Sequence, residues 1–157
     1  MSHTYPVEAH HVKKSSHIML KGWPCKIAEV KTSKTGKHGH AKCNITGIDV
    51  ITQRKYNEVH PGHIVLAGFE PIKNEYEVTD FSEAESYFEV MDASGENTRI
   101  EADLEREADA KLMRDLLANA EAGGEKYYQC MTVTAPVGEG DKCQLVTAIV
   151  DSKESAE

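Results

Sequence analysis

The sequence predicts a mainly β protein built from two small β-barrel domains, the second carrying one helix. Three observations carry this expectation: short apolar segments that alternate with polar residues at period two, a single stretch at helical spacing, and a reversal of charge sign near Pro71. A chain of 157 residues can bury one modest core or two small ones, and the charge reversal favours two. Residues 1–73 hold 11 basic residues against 5 acids and all eight histidines, whereas residues 74–157 hold 7 basic residues against 21 acids. The basic half suits a surface that meets phosphates, and the acidic half suits a surface that avoids them.

After a polar opening, Ile18-Met19-Leu20 and Cys25-Lys26-Ile27-Ala28-Glu29-Val30 alternate on either side of Lys21-Gly22-Trp23-Pro24. This reads as two strands about a Gly/Pro turn. Apolar residues almost vanish from 31 to 42 and alternation returns over 43–51, so 31–42 is expected as a long loop joining two strands. A short strand follows at 56–59, His60-Pro61-Gly62 breaks the chain, and 64–69 forms another. Such closely spaced strands suggest a small or partly open barrel.

Proline disfavours helix in the residue before it, so Glu70-Pro71-Ile72-Lys73 is taken as the boundary between domains 1–72 and 73–157. Strands are expected at 76–81, 87–91 and 98–100, the last two joined by Asp92-Ala93-Ser94-Gly95-Glu96. Leu104, Ala108, Leu112, Leu116 and Ala120 mark a helix, which Gly123-Gly124 ends. Segments 128–136 and 143–150 close the domain, and the acidic tail 151–157 is expected to be disordered. Five strands with one interposed helix have the composition of an OB-fold, although other α+β arrangements share that order.

No apolar run approaches the ~18 residues that span a bilayer. The opening residues are polar and lack the apolar core of an export signal, so a cytoplasmic protein without membrane partners is expected. Cys25, Cys43, Cys130 and Cys143 are widely spaced and form no C-x-x-C pair, which favours reduced thiols over disulfides or structural zinc.

The informative segment is Lys31-Thr32-Ser33-Lys34-Thr35-Gly36-Lys37-His38-Gly39-His40-Ala41-Lys42, with four lysines, two histidines and no acid. Core packing does not explain it. Gly36 and Gly39 bracket Lys37 and His38 as glycines do at a tight exposed tip, and Lys37 offers a compact charge on a flexible stem, suited to phosphate contact or covalent modification. A P-loop fails at Lys31 and His38, where Gly and Ser/Thr belong. Lys34-Thr35-Gly36 matches the K-T-G of serine β-lactamases, but no S-x-x-K supplies their nucleophile. Gly36-Lys37-His38-Gly39 satisfies the GXXG of KH domains, yet that loop joins helices and this one joins strands. His38 and His40, with Cys43 nearby, offer metal-ligand spacing on an extended chain. The reading preferred is two donors in a loop that faces nucleic acid, with no metal and no catalytic residue.

Ser33-Lys34-Thr35-Gly36-Lys37-His38-Gly39-His40-Ala41-Lys42 resembles the signature of the translation factor five-A family, whose members carry hypusine, and Lys37 matches the lysine converted to it. The similarity continues through Leu20-Lys21-Gly22-Trp23-Pro24-Cys25-Lys26-Ile27, Gly47-Ile48-Asp49 and Pro71. The second half keeps the family's order of strands and helix, with an extended turn at Val137-Gly138-Glu139-Gly140-Asp141-Lys142. The resemblance implies an SH3-like domain that presents the loop, followed by an OB-fold. It implies that deoxyhypusine synthase, using NAD, transfers an aminobutyl group from spermidine to Lys37, and that deoxyhypusine hydroxylase completes hypusine. Lys34, Thr35, Gly36, His38, Gly39, His40 and Lys42 would then contact RNA or the modifying enzyme. The chain itself would be no enzyme and would need no cofactor. Its partners would be ribosomal RNA and P-site tRNA, and its task elongation at stalling sequences such as consecutive prolines, and termination. The alternative from the residues alone is a two-domain RNA-binding protein with an unmodified basic loop and no ribosomal role. A third, a metal or redox protein, would use the histidines with Cys25 or Cys43.

Overall fold

The computed structural model describes residues 3–34 and 41–155. Its contacts divide the chain into two compact units, Met1–Ile72 with Thr134–Val146, and Lys73–Val133 with Thr147–Glu157. Among the described residues two sheets and one α-helix make the protein mainly β, with SH3-like and OB-like folds.

The first unit's sheet has six strands: β1 (Tyr5–Glu8), β2 (His17–Leu20), β3 (Trp23–Lys34), β4 (Ala41–Asp49), β5 (Lys55–Pro61) and β6 (Val65–Gly68). Their order is β1-β6-β2-β3-β4-β5. The order ends on β1 and β5, so of the two forms expected, a small or a partly open barrel, the sheet takes the open one. Its edges approach each other through a 3-10 turn, Ala9–His11. There the Ala9 N–H donates to the Ile64 carbonyl at 2.8 Å and the His10 N–H to that of Gly62 at 3.0 Å. β1 falls in the stretch expected to be merely polar. It carries Pro6, which an edge strand tolerates because one side needs no donor.

The β2–β3 hairpin turns on two residues, with Lys21 at φ +52° and Gly22 at φ +80°, the left-handed pair that matches strand twist. A bulge between Ile27 and Glu29 interrupts the β3 register, and bulges bend a strand. Along β4, Cys43, Ile45, Gly47 and Asp49 are buried at every second position. Cys43 and Ile45 pack with Ile18, Leu20, Cys25 and Ile27 in one apolar cluster. The loop expected over 31–42 is corrected at both ends, where 31–34 continue β3 and 41–42 begin β4; the rest of it lies outside the described residues.

The second sheet contains β7 (Ile72–Ser82), β8 (Tyr87–Met91), β9 (Asn97–Glu101), β10 (Tyr128–Val137) and β11 (Gln144–Glu154), in the order β11-β10-β7-β8-β9. Phe88, Val90, Cys130 and Ile149 are fully buried in the second unit's core together with Leu112 of α1 (Glu107–Glu121). The helix starts three residues later than Leu104 suggests. Asp109 accepts the Asp103 N–H at 2.9 Å, and Arg106 reaches both Asp109, at 3.3 Å, and the Ile149 carbonyl, at 2.9 Å. These bonds hold 103–106 outside the helix. Burial raises the Asp109 carboxyl above the ordinary range, against the lowering effect of the Asp103 N–H and the Arg106 charge. Gly123 and Gly124, both at positive φ, end the helix as expected.

The tail departs from expectation, since β11 runs to Glu154. Ser152 is buried, and the Ser155 N–H donates to the Tyr127 carbonyl at 2.7 Å. Backbone pairing thus orders a segment whose composition alone suggests disorder.

Candidate functional site

The sheet extends β3 and β4 as a ribbon toward the basic segment. Beyond Ile27, β3 pairs with β4, through Glu29↔Thr46 out to Ser33↔Lys42 and Lys34↔Ala41. β4 is held on its other side by β5, from Ile48↔Lys55 to Lys42↔Pro61. Residues directly opposite in an antiparallel pair share a face. Lys34 therefore lies on the face of Ala41, and Lys42 on the opposite one, so the last rungs carry one exposed lysine on each side. Lys31, also exposed, sits 3.6 Å from Glu29.

Several side chains fix the ribbon's root. The Asn57 amide on β5 donates to the Asn44 side chain at 2.5 Å, to the Thr46 hydroxyl at 2.9 Å and to the Ile45 carbonyl at 3.2 Å. The Gly62 N–H donates to the Ala41 carbonyl at 2.9 Å. In turn, the Gly62 carbonyl lies 2.6 Å from the His10 Nδ1. The sequence marks His60-Pro61-Gly62 only as a break, and nothing in it points to Asn57 or His10 as supports.

Residues beyond the loop that carry the family resemblance have structural tasks. Gly47 faces Ile27 across the ladder, and a Cβ there would lie 2.7 Å from the Cys25 Cβ, 3.1 Å from Leu20 and 3.2 Å from Ile27. Asp49 is fully buried and accepts from the Ile51 N–H at 2.9 Å and the Thr52 hydroxyl at 2.6 Å, closing the turn into β5. Trp23 stacks on Tyr56 with ring centres 6.1 Å apart.

Of the site residues expected from sequence, the structure describes Lys34 and Lys42, exposed on adjacent rungs. Thr35, Gly36, Lys37, His38, Gly39 and His40 lie outside the described residues. A redox role for Cys25 finds no support: its thiol is fully buried and is pushed up to about 12, first by burial and then by the Asp49 charge, so little reactive thiolate forms. Cys43 is buried as well, and the four cysteines are free. Among the described residues no helix is long and apolar enough to cross a membrane.

Comparison with known proteins matches residues 2–64 to the family model described as translation initiation factor 5A-like, N-terminal. Eukaryotic translation initiation factor 5A-3 of Arabidopsis thaliana is 34% identical over 144 residues, covering 92% of this chain and 87% of that protein. The eukaryotic translation initiation factor 5A of Zea mays is 35% identical, covering 92% and 86%. The solved structure of a translation initiation factor eif-5a family protein from Naegleria fowleri ATCC 30863 aligns with a TM-score of 0.78 at 38% identity, over 97% of this chain and 99% of that one. Eukaryotic translation initiation factor 5A from Methanococcus jannaschii aligns at 0.62 over 98% and 97%, and at 21% identity shows likeness of fold. With relatives at this identity aligned over nine-tenths of its length, this chain belongs to the eukaryotic translation initiation factor 5A family.

Proposed function

We infer that this chain is a translation factor that brings a hypusine-modified Lys37 to the ribosome, where it stabilises peptidyl-tRNA and promotes elongation at stalling sequences such as consecutive prolines, and termination. The observation that carries this reading is the segment Ser33–Lys42 itself, set in a chain of this family and entered through the β3–β4 ribbon, which β5 pairs along its β4 side. The modification lengthens the lysine side chain and adds a second amine, so positive charge reaches farther among phosphates. No catalytic group is required of this protein. Orienting the reactants lowers an entropic barrier, while ribosomal RNA performs peptide-bond formation.

In this reading deoxyhypusine synthase builds the extension from spermidine with its own NAD, and a hydroxylase completes it. Lys34 and Lys42, on opposite faces of the ribbon's last rungs, would flank the modified residue and meet the enzyme or RNA. Mass spectrometry of the Lys37 peptide from native cells tests the reading. The aminobutyl addition is expected on Lys37 and on no other lysine; Lys37 unmodified throughout would leave a plain RNA-binding protein.

A further inference from the structure

Glu8, His10 and His11 stand together on the first unit, although the sequence raises no expectation of a metal there. Glu8 ends β1, and both histidines lie in the 3-10 turn. Residues three apart eclipse in a 3-10 turn, which brings Glu8 and His11 to one side. The turn is fixed from beneath by Ala9, fully buried, and by the bond from the Ala9 N–H to Ile64.

The ligand geometry is already assembled. Glu8 Oε2 lies 3.4 Å from His10 Nε2 and 3.6 Å from His11 Nδ1, and the three ligand atoms fall within 4.8 Å of one another. With metal–ligand bonds of about 2.0–2.2 Å, the edge of a coordination tetrahedron is roughly 3.4 Å. The carboxylate-to-imidazole separations are thus those of groups sharing one zinc-sized ion. The second ring nitrogen of His10 supplies an independent pointer. Nδ1 is 2.6 Å from the Gly62 carbonyl, and a proton donated there leaves the Nε2 lone pair facing Glu8. A ligating histidine is ordinarily oriented in this way.

We propose that Glu8, His10 and His11 bind a divalent transition-metal ion of the zinc class through Glu8 Oε2, His10 Nε2 and His11 Nδ1, with solvent completing the coordination. Two imidazoles and one carboxylate select zinc, nickel or copper over magnesium and calcium, which prefer oxygen ligands throughout. The site is linked to the loop's root, because Gly62 bonds to His10 on one side and to Ala41 on the other.

The test is a calorimetric titration of the tag-free full-length chain with zinc chloride, repeated for His11→Ala, Glu8→Gln and the double variant His38→Ala/His40→Ala. The His11 side chain is 64% exposed, so its removal leaves the fold intact, which circular dichroism checks. One zinc per chain is expected, bound at least about ten-fold more weakly by His11→Ala and Glu8→Gln. Binding should be unchanged in the double variant and unaffected by excess magnesium chloride. Absence of saturable binding, full-strength binding by His11→Ala, or loss of binding in the double variant would overturn the proposal.

Discussion

Gly47 shows how a residue can be marked by sequence for one reason and kept by structure for another. In the sequence it belongs to a family resemblance; in the structure it is a position on β4 where β2 and β3 side chains press onto the backbone. Alanine would place a methyl 2.7 Å from the Cys25 Cβ, itself fixed on the β3 backbone. Gly47→Ala is therefore expected to destabilise the first unit by about 1–3 kcal/mol, the usual cost of overpacking. Urea denaturation followed by the single tryptophan, Trp23, which stacks on Tyr56 in the same unit, measures this. A change below about 0.5 kcal/mol, typical of an unconstrained surface site, would contradict the packing. No sequence pattern reveals that approach, because it depends on three strands meeting. The same holds for His10 and Asn57, whose partners lie 52 residues away and on a neighbouring strand, respectively.

At the scale of elements, the legible strands are those with one buried face. Residues 43–49 alternate because every second side chain enters the core, and periodicity finds them directly. Residues 31–34 are exposed at every position, so their strand character rests on backbone pairing with β4 and leaves no periodic trace. The end of β11 is equally hard to read, since Ser152 alone is buried from 151 to 154. Deleting 151–157 removes the Ser155–Tyr127 backbone bond and the end of the ladder. At about 0.5–1.5 kcal/mol net per hydrogen bond, a loss of about 2 kcal/mol is expected. Amides of β10 should then exchange with solvent roughly thirty-fold faster. Unchanged exchange would show that the tail's pairing contributes nothing.

Across the whole molecule, the mainly β arrangement of two sheets and one α-helix among the described residues can be read from period and charge. Closure cannot: whether a short strand order ends open depends on edge pairing at β1, which a Pro-containing tetrapeptide does not announce. The division of charge, 11 basic against 5 acidic residues up to residue 73 and 7 against 21 beyond it, fits a first half that meets RNA and a second that resists nonspecific attachment. The central claim is that charge at position 37 does not suffice and that the modified lysine is required. Lys37→Arg keeps the charge and offers more donors, so a simple phosphate clamp would retain its function. A substitution that keeps the charge should alter stability by less than about 0.5 kcal/mol, which urea denaturation of both proteins checks, leaving the fold out of the comparison. The decisive measurement is relief of stalling on a proline-rich message in reconstituted translation: modified wild-type protein should relieve it and Lys37→Arg should not, whereas equal relief by the arginine variant would contradict the claim.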